Sequence, residues 1–157
     1  MQRIKQLQLL SKEHHLSLVL AQKAINAAQQ GDSRAIEELC QQIVTTYPDD
    51  WMIHFKIEEE SIFKTISEHY QITETSEPDI KQMVSLGQQL EQEHRQMDAY
   101  YEQMKTGNKE VLEAFGKLLK QHTRTEERQL FPLLEQYCSS DTLDKIYQTS
   151  VRYRGLI

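Results

Sequence analysis

The sequence predicts an all-α protein, an up-down-up-down four-helix bundle with a short fifth helix at its C-terminal end. Two observations carry this. Only five Gly and three Pro punctuate 157 residues, and the chain is rich in Gln, Glu, Leu and Lys, side chains that lose little rotamer freedom in a helix. Apolar residues also recur at spacings of three and four in four long stretches joined by short polar breaks. The length fits one domain, taken as 1–157.

The first helix is expected from about Arg3 to Gln29, with Ile4, Leu7, Leu10, Leu18, Ala21, Ile25 and Ala28 on one face. Gly31-Asp32-Ser33 stops it, and Asp32 or Ser33 can cap the next. That second helix carries Ile36, Leu39, Ile43 and Val44, meets Pro48, which should kink or briefly break it, and resumes from Trp51 to about His69. Gln71 to Pro78 reads as a polar loop. The third helix starts near Pro78-Asp79 with the stripe Met83, Gly87, Leu90, His94, Met97, Tyr101 and Met104. After the tight connection Thr106-Gly107-Asn108, a fourth helix runs from about Lys109 to Tyr137, with Pro132 as an expected kink. The fifth, about Asp141 to Thr149, takes Ser140 or Asp141 as its cap.

Charge and hydropathy exclude several function classes. The net charge is −6 and no run of Lys or Arg could track a phosphate backbone, which argues against nucleic-acid binding. No apolar run resembles a signal peptide or approaches the roughly 18–20 residues of a membrane span, so the expected location is cytoplasmic. Cys40 and Cys138 are expected to be reduced and packed as small apolar residues.

The two halves repeat each other at chemically capable residues. His54-Phe-Lys-Ile-Glu58-Glu59-Glu-Ser-Ile62-Phe63 and His122-Thr-Arg-Thr-Glu126-Glu127-Arg-Gln-Leu130-Phe131 both fit H-x3-E-E-x2-[IL]-F. Upstream of each lies L-x2-E-H, as Leu10 to His14 and Leu90 to His94. Residues four apart on a helix share a face, so His54 pairs with Glu58 and His122 with Glu126. His14, His94 and His122 also fall within apolar stripes.

Four imidazoles and two carboxylates aimed into one apolar interior need a compensating partner, and two metal dications satisfy all six. A single core His is commonly structural, and a single HxxxE is commonly a surface ion pair. Two of each in repeated context point to metal. Glu59, Glu60 and Glu127 are read as solvated or supporting charges, His69 as exposed, and Trp51, Phe55 and Tyr101 as core packing, with Tyr101 able to line the cavity. His15 points about 100° from His14, falls outside the repeat and ranks second to it.

The pattern EH…HFxxEE…EH…HxxxEExxLFP resembles the hemerythrin-like, or HHE cation-binding, domain from about Leu7 to Tyr137. The resemblance implies a four-helix bundle around two iron ions with an oxo or hydroxo bridge. It makes His14, His54, His94 and His122 terminal ligands, and Glu58 and Glu126 bridges. Oxygen carriers of this kind have a second His four residues from the third-helix ligand. Here those positions are Leu90 and Asp98, and Glu126 stands four residues after its His where the carriers have an Asp five after. The resemblance therefore points to the broader bacterial branch, linked to oxygen or redox sensing, iron handling and repair of iron centres.

With four protein ligands and one bridge per ion, each metal would keep about one open position in six-coordinate geometry. Gly87, on the His94 stripe, would leave room beside it. Such a centre favours reaction with O2, NO or peroxide over reversible carriage. Mixed imidazole and carboxylate ligation suits iron and also admits zinc or manganese. An interaction module with a structural metal and a peroxidase-type enzyme are the competing classes.

Overall fold

The computed structural model describes residues 2–73 and 76–156. Of the expected Gln71–Pro78 loop, Glu74 and Thr75 lie outside the described residues. A 3-10 turn, Lys5–Leu7, leads into helix α1 (Gln8–Gln30). Gly31 ends α1 in the left-handed conformation (φ 72°), which a residue without Cβ adopts freely, and the Asp32 carboxylate caps the next helix by accepting from the N–H groups of Arg34 and Ala35.

The second rod is α2 (Ser33–Tyr47), α3 (Ile53–Ile57) and α4 (Lys64–His69), joined without a break by π-helical turns at Pro48–Met52 and Glu58–Phe63. Pro48 therefore does not interrupt the rod. It keeps helical angles (φ −59°, ψ −43°) as the first residue of a wider turn. The third rod is α5 (Pro78–Lys105). The fourth is α6 (Leu112–Thr125) and α7 (Phe131–Tyr137), joined by a third π turn at Glu126–Leu130. Its start is later than expected because Asn108 turns the chain first, its side chain accepting from the Glu110 N–H. Helix α8 (Ser140–Tyr153) is capped by the Ser139 hydroxyl, one residue before Ser140 and two before Asp141, the expected caps, and runs four residues beyond the expected Thr149.

Each rod runs back along its predecessor. Tyr47 of α2 bonds Asp98 late in α5, Glu93 of α5 bonds His122 of α6, and Gln29 at the end of α1 bonds Glu113 at the start of α6. Among the described residues there is no strand.

Two apolar clusters fill the bundle. One includes Leu7, Leu10, Ile57, Ile62, Met83, Leu90, Leu130 and Phe131; the other includes Ala21, Ala24, Ile43, Tyr47, Phe55, Met97, Phe115 and Leu119. Helix α8 packs Leu143 and Ile146 into the first. Cys40 is buried, Cys138 half-buried, and both are free thiols. No helix of the described residues is long and apolar enough to cross a membrane.

Candidate metal centre

Between the two apolar clusters lies a polar layer. His14 (α1), His54 (α3), His94 (α5) and His122 (α6) are each at most 2% exposed, and Glu58 and Glu126, at the starts of two π turns, are wholly buried. Two imidazole pairs face each other across the carboxylates. The Nε2 atoms of His14 and His54 are 3.1 Å apart, and so are those of His94 and His122. Glu58 addresses both pairs: its Oε2 lies 3.2 Å from His54 and 3.4 Å from His14, its Oε1 3.0 Å from His94. The Oε1 of Glu126 lies 2.7 Å from His122 and 3.7 Å from His14.

The sequence-derived residues thus converge into two overlapping groups, His14–His54–Glu58–Glu126 and Glu58–His94–His122–Glu126. Within each, the potential ligand atoms lie within 4.8 Å of one another. His15 is exposed, so helix phase separates it from His14. His69 and Glu60 are exposed as well.

The donor set fits a pair of cations. Glu58 Oε2 and both oxygens of Glu126 are buried with no hydrogen-bond partner among the described residues, a costly arrangement for carboxylate oxygens unless a positive charge stands there. Two neutral imidazole nitrogens also repel at close range. Ligands at about 2.1 Å from one ion, set at a right angle, stand about 3 Å apart, as these do.

Protons take the place of cations in the metal-free electrostatics. Burial alone would lower the His14 imidazole, but its hydrogen bond to Glu127 and the Glu58 and Glu126 carboxylates push it up to about 10. His54 and His122 are raised against the same burial penalty, chiefly by the charge of Glu58 and of Glu126 respectively. His94 goes the other way: burial outweighs its bond to Glu58 and holds it low. Burial opposes ionisation of Glu58, yet the neighbouring imidazoles, His54 first, hold it well below the ordinary carboxylate range; Glu126 is raised by burial and by the Glu58 charge.

Outside this layer every Nδ1 meets a carboxylate from a neighbouring rod. Glu13 of α1 takes His54 (2.9 Å), Glu59 of the second rod takes His94 (3.2 Å), Glu93 of α5 takes His122 (2.9 Å), and Glu127 of the fourth rod takes His14 (2.6 Å). The four bonds close a ring around the bundle. In the neutral ring each bond selects one tautomer, with Nδ1 protonated outward, so that Nε2 can offer its lone pair inward once a cation replaces the proton. Sequence reasoning placed Glu59 and Glu127 as supporting charges and missed Glu13 and Glu93. The signal was present, since each directly precedes a repeated His, but it serves the His of another helix.

Aromatic rings seal the layer. Phe55 stacks on His94 (4.0 Å between centroids), Phe131 on His14 (5.3 Å), and Trp51 lies edge-on to His54 (5.8 Å). Tyr101 stacks instead on Tyr47 (4.5 Å) within the second apolar cluster. The expected room at Gly87 does not adjoin the ligands. A Cβ there would meet the Ile66 side chain at 3.6 Å, so α4 occupies that side.

A family model, the hemerythrin HHE cation binding domain, matches residues 6–134. No curated protein and no solved structure matches the chain.

Proposed function

The chain belongs to the hemerythrin HHE cation-binding family, and from that premise we propose that it is a non-heme di-iron protein that reacts with O2, NO or peroxide in redox or oxygen sensing or iron homeostasis. The observation that carries the proposal is the set of buried carboxylate oxygens left without hydrogen bonds between two facing imidazole pairs. His14 and His54 would hold one ion, His94 and His122 the other, with Glu58 and Glu126 shared. Zinc and manganese suit the same donors.

Bound iron supplies one-electron chemistry toward small oxidants. The chain's own residues do the rest. Glu13, Glu59, Glu93 and Glu127 keep the Nδ1 protons in place, so each imidazole offers its Nε2 lone pair without reorganising. Phe55 and Phe131 exclude water from two of the imidazoles, which limits uncontrolled proton delivery. The third rod offers one imidazole only. Leu90, one turn before His94, is buried and apolar, and Asp98, one turn after, is engaged by Tyr47. With no second imidazole from the third rod, bound iron would leave room for a small molecule, which would favour irreversible oxidation over carriage.

The test is anaerobic loading with iron(II), elemental analysis, and spectra before and after air. The expected result is about two irons per chain, by the donor count, and an air-induced spectrum that argon purging does not reverse. One iron or none after full loading would sink the dinuclear reading. Full spectral return over repeated purges would establish oxygen carriage instead.

A further inference from the structure

Arg154 stands at the C-terminal end of α8, outside residues 6–134, yet its guanidinium reaches the carboxylate behind a candidate ligand. Its Nε donates to Glu13 Oε2 (3.0 Å) and its Nη2 to Glu13 Oε1 (2.5 Å). Glu13 Oε1 in turn accepts from His54 Nδ1 (2.9 Å), and His54 Nε2 faces Glu58 (3.2 Å). The same guanidinium donates to the backbone carbonyls of Asp49 (2.9 Å) and Asp50 (3.0 Å), in the π turn that leads into His54. One side chain therefore ties α1 and the approach to α3 together at the height of the metal layer.

The other outer carboxylates are held differently. Glu127 has Arg3 Nε at 3.4 Å from one oxygen and accepts from the Ser11 hydroxyl (2.5 Å) on the other, Glu59 has the exposed Arg95, and Glu93 accepts from the neutral Gln89 amide (3.0 Å), so among the described residues none of the three is gripped by a guanidinium fork. A two-point guanidinium fork fixes the plane of a carboxylate, whereas a single or neutral donor lets it turn. A carboxylate that cannot turn holds its imidazole in the ligating orientation.

Building on the metal-pair reading above, we propose that Arg154 is a positioning residue for the metal centre. Its fork on Glu13 sets His54 and makes the ion held by His14 and His54 the slowly exchanging one of the two. The C-terminal helix thereby acts as a retention clamp on one ion and not on the other.

The experiment uses the full chain loaded with cobalt(II), whose visible absorption reports coordination, and follows its loss to excess EDTA. The wild-type protein is expected to release its ions in two phases of equal amplitude. Arg154→Met should accelerate the slow phase about tenfold, the lower end of what losing such outer support costs, and leave the fast phase unchanged. Glu13→Gln should do the same while keeping Arg154 on the Asp49 and Asp50 carbonyls, so it tests the relay even if Arg154→Met folds poorly. The double variant should be no faster than the faster single one, because both remove the same link. Arg154→Lys, with charge but no fork, should recover only part of the retention. Arg152→Met, which alters a neighbouring exposed charge, should change neither phase.

A wild-type slow phase in Glu13→Gln, or equal acceleration of both phases in Arg154→Met, overturns the proposal. Wild-type protein that takes up fewer than two cobalt ions overturns the metal-pair reading itself, and the inference falls with it.

Discussion

The two imidazole pairs have the same inner geometry, with Nε2 atoms 3.1 Å apart, and different fastenings. On the His14/His54 side the outer carboxylates rest against Arg3 and Arg154, whose side chains are 14% and 22% exposed. On the His94/His122 side the corresponding groups are Arg95, 58% exposed, and the neutral Gln89. The inner layer and the ring of carboxylates come from the repeated motif; the groups behind them, three arginines and Gln89, come from positions the motif does not include. The inner residues and the groups that fasten them therefore come from different parts of the chain, and one can change without the other.

The contrast is broken most severely by removing the group both sides share. Glu58→Ala should leave well under one ion per chain, whereas His54→Ala and His122→Ala should each leave about one, as read by elemental analysis after iron loading. A Glu58→Ala protein that still holds two ions would show that this carboxylate does not serve both pairs. Next in size are the outer carboxylates. Glu93→Gln and Glu127→Gln should each weaken metal affinity about 10- to 100-fold, measurable by competition with a chelator, with the loss confined to the ion on that side.

The metal-free protein should sharpen the comparison through pH. His14, His54 and His122 have folded-state values raised above the unfolded ones, so their stabilisation is full below about 6.5, the unfolded value. It is lost as pH rises, in the case of His14 through about 10. Thermal melts should show Tm falling across that window, and metal should flatten the dependence by replacing the protons. His14→Gln should reduce the slope. His94→Gln should not, because His94 is held low and contributes in the opposite sense. Equal slopes in the two variants would contradict the electrostatic difference between His14 and His94.

The smallest effects concern packing. A Cβ at Gly116 would lie 2.9 Å from the Ala21 carbonyl oxygen and 3.0 Å from Ala24 and Ile25, where α6 meets α1. Gly116→Ala should cost about 1–3 kcal/mol, since the blocking atom is backbone. Gly87→Ala, whose Cβ would meet the Ile66 side chain at an ordinary 3.6 Å, should be neutral or gain up to about 1 kcal/mol from helix propensity. Chemical denaturation of the two variants side by side measures both.

Much of the centre was legible because it is written at helical spacing. His14, His94 and His122 sit on apolar stripes, Glu58 and Glu126 each stand one turn after a repeated His, and the repeat and the phase of α1 both select His14 over His15. Glu13 and Glu93 were visible but not interpretable, since a carboxylate beside one His points to the next rod only when the relative heights of two helices are known. Gly87 misled for the same reason: whether a missing Cβ leaves a space depends on Ile66, from another rod. Arg154 is separated from Glu13 by 141 residues, and no local pattern links them. Pro48 carried a local rule that the rod satisfies in another way, with a wider turn in place of a break.

The π turns that begin at Glu58 and Glu126 have a consequence for how the second and fourth rods are built. Each spaces its hydrogen bonds five residues apart, Lys64 to Glu59 and Phe131 to Glu126, and so contains one residue more than a regular helix needs. Both begin at the matching glutamate of the internal repeat, while the turn at Pro48 has no counterpart within α6. The extra residue therefore falls at the same place in each half, so the second and fourth rods are both widened where their buried carboxylates stand.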